Sequence, residues 1–317
     1  MNKSLVALLT MLAAITPALA ETYPLTVQSC GQPVTITQRP THAVIQDVNM
    51  AEMAFALHLQ PFIAGLSGIS GWSKKTPEFS RMQGNIPEIA THYPSLEQLL
   101  AARADLFIAG WNYGMHVGGD VTPETLQAQG IPTLVLSESC IRTQTHPKLP
   151  TLSLLYDDEY RMGRVFDRTP EATTLINGWK QRISAVEGRI ANTKPKSVFI
   201  YDSGEDRPFT AGAYALASEI VRLGGGVNIF NDLQTNWGPA SWESAALRDA
   251  DAIIIVDYGA GTQKSRAFLE HHPLMSDARA IRTKNVLALR YDELTPGPEN
   301  IGAVEKIADF LHPDINP

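Results

Sequence analysis

Short, continuous apolar runs alternate with segments of helical period along most of this chain. Ala43-Val44-Ile45, Phe62-Ile63-Ala64, Leu106-Phe107-Ile108-Ala109 and Thr133-Leu134-Val135-Leu136 are too short for helices and lack polar alternation. Strands covered on both faces have that character. Between them, Asn49 is placed to cap a helix with Met50, Met53, Ala54 and Leu57 on one face. Ser95 and Gln98 have capping-box spacing at the head of a helix over 95–102. Pro123 to Gln129 reads as a helix closed by Gly130. The weakly alternating stretch Tyr23 to Thr37, with its Gly31-Gln32-Pro33 turn, predicts an N-terminal hairpin.

The same alternation resumes after Pro195. Ser197-Val198-Phe199-Ile200, Ile253-Ile254-Ile255-Val256 and Val286-Leu287-Ala288-Leu289 read as strands, with helices over 213–223 and 298–311. Gly224-Gly225-Gly226 follows a helix rather than a strand, so it reads as a helix end and turn, not a dinucleotide loop. The middle carries no strand signal. From Glu171 to Thr193, Leu175, Ile176, Trp179, Ile183, Val186 and Ile190 keep helical spacing, and such a helix spans about 35 Å. The fold expected is α/β: two lobes with mostly parallel sheets joined by one long rigid helix. The boundaries read as 1–20 targeting segment, 21–167 first lobe, 168–194 linking helix and 195–317 second lobe.

One segment occurs twice, 146 positions apart. Ser95-Leu96-Glu97 leading to Ala104-Asp105 and Ile108 recurs as Ser241-Trp242-Glu243 leading to Ala250-Asp251 and Ile254, with serine, glutamate, alanine, aspartate and isoleucine at equal offsets. Each lobe thus carries one acid in the first turn of a short helix. There the helix macrodipole stabilises it by about 0.3–1 kcal/mol.

The N-terminus changes the setting. Lys3, the apolar run Leu5 to Ile15 and Ala18-Leu19-Ala20 form an export signal with cleavage expected after Ala20. Without Lys3 the chain has 25 basic and 33 acidic residues, a net charge of −8, which makes nucleic acid an improbable partner. The two cysteines of an exported chain, Cys30 and Cys140, predict one disulfide. Closing that loop contributes about 4–5 kcal/mol in the chain-entropy model.

No enzyme constellation is present: H-E-x-x-H, the phosphate-binding G-x-x-x-x-G-K-[ST] loop and G-x-S-x-G are all missing. No cofactor or resident metal is expected, and His42, His92 and His116 follow no ligand spacing. Ligands of open α/β sheets bind beyond the carboxyl ends of the strands. Those positions hold Trp72 with Lys74 and Lys75, Trp111 with Tyr113, Arg142, Arg207 with Phe209, Tyr258 and Tyr291; Tyr214 and Trp237 lie nearby in sequence. Aromatic walls with a few polar groups suit a sizeable, partly apolar ligand, and the basic side chains suggest an anionic, oxygen-rich one. An enzyme reading would use Asp202, Glu205 and Arg207.

These residues and motifs resemble class III periplasmic solute-binding proteins of ABC importers, the cobalamin and ferric-siderophore type, over essentially all of the exported chain. The specific stretches are Pro94-Ser95-Leu96-Glu97, Pro208-Phe209-Thr210-Ala211-Gly212, Leu223 to Phe230, Ser241-Trp242-Glu243, and Tyr156 to Gly163 before the long helix. The resemblance implies a monomeric periplasmic receptor holding a metal chelate between its lobes. It also implies that Glu97 and Glu243 dock on a dimeric inner-membrane permease. A ferric siderophore ranks first as ligand, then a cobalamin-like corrinoid, then haem, for which Tyr113 or His116 could ligate iron, or another cofactor.

Overall fold

The computed structural model describes residues 20–72, 74–145 and 147–315; the export signal otherwise lies outside them. The chain opens with an antiparallel hairpin of β1 (Leu25–Ser29) and β2 (Gln32–Ile36). A parallel sheet follows, from β3 (Ala43–Gln46), β4 (Ile63–Ser67), β5 (Glu88–Ala90), β6 (Leu106–Trp111), β7 (Gly114–Met115) and β8 (Thr133–Val135). Its order is β5-β4-β3-β6, with β7 and β8 both pairing with β6. Its helices are α1 (Val48–Ala56), α2 (Pro77–Gln83), α3 (Leu96–Ala101) and α4 (Pro123–Gln127).

Two helices then run together, α5 (Ser153–Val165) and α6 (Thr169–Ile190). The 22 residues of α6 bury Ala172, Ile176, Trp179, Ile183 and Val186 along one stripe, as a core-facing helix does. It ends at Ile190, and Pro195 keeps the short turn that follows from continuing as helix into β9.

The second half carries β9 (Lys196–Tyr201), β10 (Phe209–Ala211), β11 (Gly226–Asn228), β12 (Trp237–Pro239), β13 (Ala252–Asp257) and β14 (Val286–Arg290). Four of these form a parallel sheet ordered β11-β9-β13-β14, while β10 and β12 pair as a separate antiparallel ribbon. The helices are α7 (Leu216–Leu223), α8 (Trp242–Arg248), α9 (Gln263–His271), α10 (Arg279–Arg282), α11 (Tyr291–Leu294) and α12 (Asn300–Leu311). Arg182 and Arg189 of α6 pair with Glu305 and Asp309 of α12 at 2.7 and 2.9 Å. These exposed pairs orient the long helix more than they stabilise it.

The fold is thus α/β with mostly parallel sheets and one long helix between two lobes, as the alternation predicts. Two local departures have physical causes, while the predicted disulfide forms. Helix α1 begins two residues early, because Asp47 rather than Asn49 caps it: Asp47 Oδ1 accepts the Val48 N–H at 2.7 Å. Asn49 donates instead to the Pro296 carbonyl at 2.7 Å, across to the other half. The last glycine of the triplet opens β11, where a Cβ would stand 2.7 Å from Val221 and 2.9 Å from Val198. Cys30 and Cys140 are disulfide-bonded, with Cα atoms 5.3 Å apart, fastening the hairpin to the loop after β8.

Candidate functional site

Loops after most strands of the two sheets converge on one gap. From the first half come Asp47 after β3, Trp72 and Lys74 after β4, Tyr93 after β5, Asn112 and Tyr113 after β6, and Arg142 after β8. From the second come Asp202 after β9, Phe209, Asn236 and Trp237 of the ribbon, Val256 and Tyr258 of β13 and its loop, and Tyr291, Leu294 and Thr295 after β14. Together they enclose a cavity of about 240 Å³. Seven of these sixteen side chains are aromatic.

The polar groups are fastened both within each half and across the gap. Lys74 Nζ stands 2.8 Å from Asp47 Oδ2 and 3.7 Å from the centre of the Tyr291 ring, and the Tyr291 hydroxyl donates to the same Asp47 oxygen at 2.9 Å. Tyr258 donates to Asp202 Oδ2 at 2.8 Å. Arg142 Nη2 donates to Asn236 Oδ1 at 2.7 Å. Below the floor, Glu138 Oε1 accepts the Leu216 N–H at 2.6 Å, so an acid of the first half caps α7 of the second. Burial raises that carboxyl to about 7 despite the bond.

Burial also decides the state of the phenols. Tyr93 is pushed up to about 12, and Tyr113 and Tyr291 well above the usual phenol value. They therefore remain neutral hydrogen-bond donors at neutral pH. Trp237 Nε1 is buried with no hydrogen-bond partner, a donor free for an acceptor atom of a ligand. The formal charges of the lining cancel: Asp47 and Asp202 against Lys74 and Arg142.

Of the residues singled out in the sequence, Trp72, Tyr113, Arg142, Phe209, Trp237, Tyr258 and Tyr291 line this cavity. Trp111 does not; it is buried in the first half's core beside Cys140. Its neighbour Tyr113 faces the gap because Asn112, at φ 63°, turns the backbone between them. Arg207 reaches away, donating to the Ala240 carbonyl, and Tyr214 donates to Gln234. Lys75 and Glu205 also stand off the lining, so the basic cluster expected of an anion site does not assemble. His92 packs on the Trp72 ring and His116 on Tyr93, and among the described residues no three potential metal ligands converge. Asp47, Tyr93 and Asn236 went unread. Asp47 was findable, since it follows the carboxyl end of the first strand of the sheet.

Glu97 and Glu243 are exposed, each in the first turn of its helix. Helix α3 follows Tyr93 and helix α8 follows Trp237, so each starts within a few residues of the cavity lining.

A family model for periplasmic binding proteins matches residues 44–292. A vitamin B12-binding protein of Yersinia pestis is 26% identical over 216 residues, 67% of this chain and 66% of the relative, just under two thirds of its length. A protein of an Fe3+-hydroxamate transport system from Saccharomonospora viridis superposes with a TM-score of 0.78 at 21% identity, covering 92% of this chain and 100% of the other. A periplasmic haem-binding protein from Roseiflexus gives 0.69 at 20% identity, covering 87% and 100%. The residues matched by the family model span both parallel sheets and the helix between them.

Proposed function

We propose, from the premise that this chain belongs to the periplasmic binding protein family of ABC transporters, that it carries an iron(III) siderophore of low net charge. The ligand sits in the cleft between a lobe at about 21–167 and one at about 195–317, and is handed to a dimeric inner-membrane permease. The observation that carries this is a lining that is richly aromatic, fed by both sheets and balanced in charge. An iron(III) centre wrapped by three hydroxamates is neutral, whereas three catecholates leave it at −3. The second would bring its charge against Asp47 and Asp202 with Lys74 and Arg142 already engaged. Neutral phenol donors and the unpaired Trp237 Nε1 suit chelate oxygens.

Export with cleavage after Ala20 supplies the periplasmic setting. Glu97 and Glu243 are the docking acids, exposed and in matching positions. Catalysis is no part of the reading: the ligand is bound and released unchanged. A cobalamin-like corrinoid is the second reading, favoured by the vitamin B12-binding relative.

Fluorescence titration, using the chain's five tryptophans, tests the choice against a neutral iron(III) trihydroxamate, an iron(III) tris-catecholate, cobalamin and haem. Saturable quenching is expected with the trihydroxamate, at least tenfold tighter than with the catecholate. Tighter catecholate binding would reverse the ligand assignment, and cobalamin as the tightest ligand would establish the second reading.

A further inference from the structure

The centre of the cleft is built as a receptor for a cation, and in this structure the cation is the chain's own. The Lys74 ammonium lies 3.7 Å from the Tyr291 ring centre and 4.8 Å from that of Trp72. It pairs with Asp47 at 2.8 Å, and Asp202, held by the Tyr258 hydroxyl, attracts it from the other half. Two aromatic faces and two carboxylates are the ordinary complement of an ammonium group. The Lys74 side chain is only 6% exposed, although it springs from the rim loop between β4 and α2, which carries Gly68 at φ 71°.

A lysine buried this way gives up its hydration and its rotamer freedom, and burial draws its basicity down. Exchange for an ammonium supplied from outside would keep every contact of the box and return Lys74 to water. The cavity also argues for exchange: at about 240 Å³ it is smaller than the roughly 300–1,000 Å³ of ordinary ligand pockets, and Lys74 stands in its wall.

We infer that the Trp72, Tyr291, Asp47 and Asp202 box is the subsite for a primary ammonium group on the ligand, which Lys74 fills from within until the ligand's own ammonium displaces it. The inference rests on the cleft being the ligand site. It narrows the chelate to one whose neutral metal core carries a free aliphatic amine. It also makes Lys74 a selectivity residue, since a ligand without an amine must bind beside the lysine and a ligand with an anionic arm must meet Asp47 and Asp202.

Two arms test it on the full exported chain. In the first, Lys74→Ala and the more conservative Lys74→Gln are titrated with n-propylammonium chloride and with n-propanol, reading thermal stability and tryptophan emission. Saturable stabilisation by propylammonium but not propanol, lost when Asp47→Asn is added, is expected. The absence of any saturable response to propylammonium in both variants would overturn the subsite.

In the second arm, wild-type protein is titrated by calorimetry with the iron(III) complex of a linear trihydroxamate bearing a terminal amine, and with its N-acetylated form. The amine form should bind about tenfold tighter, the gain coming from the return of Lys74 to water rather than from a new cation–aromatic contact, and Lys74→Ala should widen that ratio. Equal or tighter binding of the acetylated form would overturn the inference. Binding of neither complex, together with propylammonium rescue, would leave the cation box standing and remove the hydroxamate reading instead.

Discussion

The segment that occurs twice in this chain can be compared atom by atom in its two settings. In the first, Ser95 Oγ accepts the Gln98 N–H at 3.3 Å and Gln98 returns a bond to the Ser95 N–H at 2.9 Å. In the second, Ser241 Oγ accepts the Ser244 N–H at 3.1 Å, and the two hydroxyls bond each other. Asp105, before β6, accepts the backbone N–H groups of Thr41 and His42 at the head of the neighbouring β3. Asp251, before β13, accepts the N–H of Ser197 at the head of the neighbouring β9. The packing residues between them diverge: Leu96 is half-buried, while Trp242 is buried among Phe199, Tyr201, Phe268 and His272.

What the copies share, then, are a helix cap, a strand clamp and an exposed glutamate. The serine and aspartate hold their own backbone. Neither Glu97 nor Glu243 forms an ion pair among the described residues, so each is available to a partner. The fastenings explain why the two halves are built alike; the glutamates suggest what the likeness is for.

The largest expected effect lies where the halves depend on each other. Helix α7 has no side-chain cap of its own and takes Glu138 from the first half. Because burial raises Glu138 to about 7 from a usual value near 4.5, the folded chain keeps a proton that the unfolded chain releases between those values. Its contribution to stability is therefore present at low pH and lost as pH rises through that window, by about 3 kcal/mol. Glu138→Gln should remove this slope, so its denaturant midpoint gains on the parent from pH 4.5 to 8; parallel pH profiles would contradict the account.

The strand clamps come next. Asp251→Ala should cost about 2–3 kcal/mol and Asp105→Ala about 1–2. The second-half clamp costs more because the Ser197 hydroxyl closes it reciprocally, donating to Asp251 Oδ2 at 2.8 Å and accepting the Asp251 N–H at 2.9 Å. Equal losses in urea unfolding would erase that distinction. Ser95→Ala and Ser241→Ala should each cost about 1 kcal/mol, with no effect on ligand affinity. The smallest change is in shape. With α6 packed against α5 and α12 and the two halves bonded through Asn49, Arg142 and Glu138, solution scattering should show a radius of gyration unchanged within error on ligand binding.

The longer sheet strands were legible from unbroken apolar runs such as Ile253 to Val256, buried on both faces, whereas the two- and three-residue edge strands β5, β7 and β11 carry no such run and went unread. The ribbon of β10 and β12 was not legible either, since its two strands are three residues each and its partners, Phe209 with Pro239 and Ala211 with Trp237, are far apart in sequence. The aromatic lining was read from strand ends. Its charge was not, because a sequence shows Lys74 and Arg142 as cations but not the Asp47 and Asn236 that engage them. Trp111 and Tyr113, two residues apart, show the limit most plainly: one turn of backbone at Asn112 sends the first into the core and the second to the cleft.

The docking claim is tested most directly by reversing both exposed acids, Glu97→Lys with Glu243→Lys, and measuring ligand affinity of the purified protein beside ATP-driven uptake through its permease. The account predicts unchanged affinity and abolished uptake, with each single reversal partly impaired. Unimpaired uptake by the double variant would contradict it.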